Sequence, residues 1–76
     1  MKKVIVEWVD SNVLHGWQME GEVSCDIAVC ESLGYVKYED NDKLILSQTV
    51  SNFGSQMGVL AIPKGCIKSV KELRAK

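Results

Sequence analysis

The sequence predicts a small, mostly-β domain, a five-stranded barrel that is closed or nearly closed, with a 3₁₀ turn before its last strand. Three observations predict it. Apolar residues alternate with polar ones between 22 and 31, Gly34 interrupts a strand-like run, and Pro63 cuts off an apolar stretch just before a final one.

The first strand is read from Lys3 to Val9, with Val4, Val6 and Trp8 on one face and Ile5, Glu7 and Val9 on the other. Asp10, Ser11 and Asn12 end it, because short polar side chains compete for backbone hydrogen bonds. Asn12 to Gly21 has two glycines and no sustained period, so it reads as a long loop. The next strand is expected from Glu22 to Glu31, where Val23, Cys25, Ile27 and Val29 form the buried face. Val23, Ile27 and Cys30 also fall at helical spacing, but the β-branched content favours the strand.

Gly34 then marks a bend that lets a sheet curl, and the strand resumes over Tyr35–Tyr38. Glu39–Asp42 forms a polar turn, and Lys43–Val50 returns as the second arm of a hairpin. A polar loop over Ser51–Gln56 leads to a strand from Met57 to Ile62. Pro63 ends that strand because it has no N–H to donate. Pro63–Cys66 suits one 3₁₀ turn, and Ile67, Val70 and Leu73 belong to a last strand. No repeat or linker divides the chain, so residues 1–76 are expected to form a single domain.

Trp8 with Asp10, Gly16-Trp17, the run Cys30 to Tyr35, and Ile62-Pro63-Lys64 with Cys66, Ile67, Val70 and Leu73 together resemble a group of uncharacterised small phage and prophage proteins. The arrangement is also similar to SH3-like barrels, including their Sm-like branch, in which a bent strand and a short 3₁₀ turn before the final strand recur. The resemblance implies a fold rather than an activity. Sm-like proteins often form rings and bind RNA through an Asp and an Asn in one loop and an Arg-Gly pair in another. Asp10 and Asn12 are only two positions apart here, and Lys64-Gly65 would have to replace Arg-Gly.

Composition narrows the function. A chain of 76 residues with 46% hydrophobic content builds a thin core and commonly needs outside help, from disulfides, a metal or self-association. Three cysteines and a charged N-terminus argue against a disulfide framework and for a reducing, cytoplasmic setting. No apolar run is long enough to span a membrane. Cys25 and Cys30 are spaced unlike the paired ligands of a zinc site, and His15 is the sole histidine, so neither a metal nor a cofactor nor a thiol enzyme is expected. Glu39, Asp40 and Asp42 lack the spacing of a calcium loop.

What remains is a non-enzymatic module that forms a homo-oligomer or docks on another protein. Trp17, His15 and Tyr35 are its candidate contact residues, and Trp17 is expected to pin its loop onto the barrel. The alternative is binding of RNA or single-stranded nucleic acid, with Lys64, Lys68 and Lys71 on phosphates and Tyr35 or Trp17 stacking on bases. A net charge of −1 weighs against it.

Overall fold

The computed structural model describes residues 2–11, 15–22 and 25–74. Five strands are formed: β1 (Lys3–Asp10), β2 (Ala28–Glu39), β3 (Lys43–Val50), β4 (Gln56–Pro63) and β5 (Ile67–Leu73). They make one antiparallel sheet in the order β4-β3-β2-β1-β5. Short 3₁₀ turns occupy Glu20–Glu22 and Lys64–Cys66, the second directly before β5 as expected. Among the described residues no helix is long and apolar enough to cross a membrane.

The buried set is small. Val4, Val6, Leu44, Leu46 and Ile62 form the core, with Trp8, Val36, Leu60 and Ile67 packed against it. The expected face of β1 is the one that turns inward. Val4, Val6 and Trp8 lie opposite Gly34, Ser32 and Cys30 of β2, so large residues on one strand meet small ones on the next. The indole of Trp8 donates to the Ser32 hydroxyl at 3.0 Å, which satisfies its N–H.

That complementarity corrects the reading of residues 22–31. Glu20–Glu22 is a 3₁₀ turn, the strand begins only at Ala28, and Val23 and Ser24 lie outside the described residues. Because β1 supplies the bulk inside, the small even-numbered residues of β2 face the core. Ile27 and Val29, expected to be buried, are 65% and 61% exposed. Alternation identified a strand but not which of its faces is wet.

Gly34 sits inside one continuous strand rather than between two. A Cβ there would lie 2.9 Å from the backbone oxygen of Ser47 and 3.3 Å from Leu46 Cβ, so only glycine lets β2 and β3 cross this closely. A bulge between Val36 and Tyr38 adds to the bend.

Closure, by contrast, is not seen. β4 and β5 stay at opposite ends of the strand order, and among the described residues no ladder joins them. β2 and β3 pair only from Tyr35↔Ser47 to Glu39↔Leu44, while β3 and β4 continue together out to Val50↔Gln56. The far end of that pair therefore projects as an arm instead of carrying β4 round to β5. The molecule measures 53 × 27 × 23 Å, with a radius of gyration of 16.2 Å. A compact domain of this length would have one of about 11 Å.

Candidate interaction surface

The arm comprises Gln48–Val50, the turn that follows and Gln56–Val59. Its turn is closed by hydrogen bonds within itself. Ser51 N–H donates to the Ser55 carbonyl at 2.9 Å, Gly54 N–H donates to the Ser51 carbonyl at 3.2 Å, and the Ser51 hydroxyl oxygen accepts from Phe53 N–H at 3.1 Å. This frame holds Phe53 outward, 92% exposed. At the base of the arm the buried Ser47 hydroxyl, lying 2.9 Å from the Thr49 carbonyl and 3.2 Å from that of Met57, donates to them and ties the two strands together. Gly58, at φ +71°, occupies a conformation other residues rarely adopt.

Apolar side chains line the arm and the bank opposite it. Met57 and Val59 are exposed on β4, and Ile27, Val29 and Leu33 are exposed along the start of β2. Between them lies a cleft of about 500 Å³, bordered by Ser32 and Leu33 on one side and Gln48 and Val59 on the other, with Leu46 and Leu60 also lining it.

β4 has a second distinctive property. No Lys, Arg, Asp or Glu occurs from Leu44 through Pro63, a stretch that includes all of β4. Edge strands in soluble proteins are commonly protected by charge, especially lysine. Of the two outermost strands only β5 carries such charges, as Lys68, Lys71 and Glu72.

Comparison with known protein families, with curated proteins and with solved structures finds no match for this chain. Its site is therefore read from its own geometry.

The residues singled out from the sequence do not converge on one place. Trp17 is fully exposed and does not pack on the sheet, which corrects the expectation that it pins its loop there. Among the described residues between it and β2, Glu20–Glu22 form a 3₁₀ turn and Cys25–Ile27 no regular element. His15 is exposed, and its carbonyl accepts from the Gln18 side-chain amide at 3.2 Å. Of the loop expected over Asn12–Gly21, Asn12, Val13 and Leu14 lie outside the described residues. Tyr35 is half-buried at the β2–β3 crossing, with the Lys3 ammonium 5.9 Å from its ring centre. Cys25, Cys30 and Cys66 are free thiols, and no cluster of metal-ligating side chains occurs among the described residues.

Two of the three candidate lysines face carboxylates. Lys64 forms an ion pair with Glu39, and Lys68 lies 3.8 Å from Glu7. Lys71 stands opposite Ile5 on the outer face of β1. The hydrogen bond from Lys64, together with its charge, lowers the pKa of Glu39 below the usual carboxylate value. Asp40 is lowered further. Its carboxylate accepts first from the backbone N–H of Asp42, at 2.8 Å, then from that of Lys43, at 2.9 Å, and also from the Lys43 ammonium at 3.2 Å.

Sequence reasoning missed the arm and its opposite bank. The signal was present in the uncharged run from Leu44 to Pro63, and in the odd-numbered apolar residues of β2 that β1 leaves without a place inside.

Proposed function

We propose that this chain is a non-enzymatic association module of the cytoplasm, related to the SH3-like and Sm-like barrels, and that it self-associates through the bare β4 edge of its sheet. The observation that carries this reading is the uncharged edge of β4. A row of unpaired backbone donors and acceptors flanked by exposed Met57 and Val59 invites another strand to add to it.

The exposed area supports the same reading. The chain exposes 6222 Å². A compact monomer of its mass would expose roughly 4,600 Å². The surplus, on the order of 1,600 Å² on one chain, exceeds the roughly 800 Å² that each partner contributes to a standard specific interface. A core of five fully buried apolar residues gives the chain reason to cover that surplus. The pairing of Lys64 with Glu39 and the approach of Lys68 to Glu7 reduce the cationic character on which phosphate binding depends, so a protein partner is favoured over nucleic acid.

Light scattering on a size-exclusion column, run over a dilution series, tests the reading. An assembly heavier than one chain is expected at micromolar concentration, and Ala61→Lys, which places a charge on the exposed β4 edge away from the cleft, should disperse it. A single-chain mass at every concentration would remove the proposal.

A further inference from the structure

The geometry points to a particular mode of self-association: two copies exchange arms, so that Gln48–Val59 of each lies along the Ala28–Leu33 edge of β2 in the other. The inference rests on the self-association reading above but uses a different surface.

It begins with a split in the sheet. Upstream of Tyr35, β2 pairs with β1 alone, and downstream of Ser47, β3 pairs with β4 alone. Each strand therefore keeps one unpaired edge beside the cleft. Within one chain the gap stays open, because the pairing of β2 with β3 stops at Tyr35↔Ser47 and the two strands diverge beyond it. The arm borders the cleft without filling it.

A second copy can fill it. The occupant must present an extended backbone, since the β2 edge offers backbone donors and acceptors spaced for a strand. It must also be partly apolar and free of negative charge, because Leu33, Leu46, Leu60 and Val59 line the cleft together with the carboxylate of Glu31. The arm answers both needs: it is extended on each side of its turn, carries no charge, and exposes Phe53 and Met57. At a net charge of −1 two copies repel each other little. Reciprocal insertion makes a closed two-fold pair in which both edges are covered at once. Continuing in trans the register that ends at Tyr35↔Ser47 would place Leu33 opposite Thr49.

Two measurements decide it. In a background with Cys25, Cys30 and Cys66 replaced by Ser, Leu33→Cys chains are mixed with Thr49→Cys chains and oxidised. A covalent dimer is expected in the mixture and not with either variant alone. On the unsubstituted protein, hydrogen exchange is followed against concentration. The β2 amides between Ala28 and Leu33 that point away from β1 should slow at least about ten-fold on association. If those amides exchange freely, or no mixed cross-link forms, while light scattering shows an assembly that Ala61→Lys disperses, arm exchange is wrong and edge association stands. A mixed cross-link and protected amides in an assembly indifferent to Ala61→Lys would mean the opposite, arm exchange without association at the β4 edge. A single-chain mass throughout overturns both.

Discussion

The ladder between β3 and β4 has two ends that the same pairing treats very differently. At one end Leu44↔Ile62 and Leu46↔Leu60 lie in or against the core. At the other, Thr49↔Met57 and Val50↔Gln56 continue the register with no third strand beside them, and Met57 is 69% exposed. Backbone hydrogen bonds alone do not make an interior. What separates the ends is whether β2 lies alongside, and β2 leaves at Gly34.

The sharpest test of the contrast is truncation at the covered end. Leu46→Ala removes a buried side chain from a core with few members and should cost about 2–5 kcal/mol. A chain of this length has only about 4–11 kcal/mol of stability to lose. Denaturant unfolding should show the midpoint collapsing. A loss of less than about 1 kcal/mol, well under the usual range for such a truncation, would mean that the two ends are not so different after all.

Next comes the point where the two regimes meet. Gly34→Ala places a methyl against the Ser47 carbonyl, a backbone atom that cannot swing aside. The strands must separate or the strand must shift, at about 1–3 kcal/mol. Hydrogen exchange around Tyr35 and Ser47 should quicken before exchange in the β1–β5 ladder does. If the variant matches the parent in denaturant, the crossing yields more readily than the 2.9 Å between an added Cβ and the Ser47 oxygen implies.

How much of this was legible beforehand follows from the same division. β1, the hairpin over Tyr35–Val50, the strand ended by Pro63, the 3₁₀ turn and β5 were all readable, because each is set by local chemistry: alternation, a turn of short polar residues, or a proline. The inward face of β2 was not, since it depends on what β1 places opposite it. Nor was the failure to close, which depends on where the register of β2 with β3 stops. Trp17 misled for a related reason. A tryptophan's burial depends on whether a surface is near it, and spacing along the chain carries no information about that.

The smallest expected effect separates the two turns that cap β3. The turn at the core end is held by an ionised carboxylate: Asp40 accepts from Asp42, Lys43 and the Lys43 ammonium, and Glu39 beside it pairs with Lys64. Both groups have folded pKa values below their unfolded ones. Their contribution is therefore fully present above the unfolded carboxylate value, near pH 4, and is lost as pH falls from there through the folded values. Both side chains are solvent-accessible, which keeps the contribution small. The turn at the arm's tip is held by neutral Ser51 and Ser55 and binds no proton in this range. Amide exchange followed from about pH 5 down to about pH 2, a window that spans the carboxylate titration, should loosen Asp42 and Lys43, after correction for intrinsic rates, while leaving Phe53 and Ser55 unchanged. Asp40→Asn should already be loosened at neutral pH and should flatten most of the acid response. Equal loosening of both turns would show that acid acts on the whole sheet, and that the core end owes no specific order to its carboxylate.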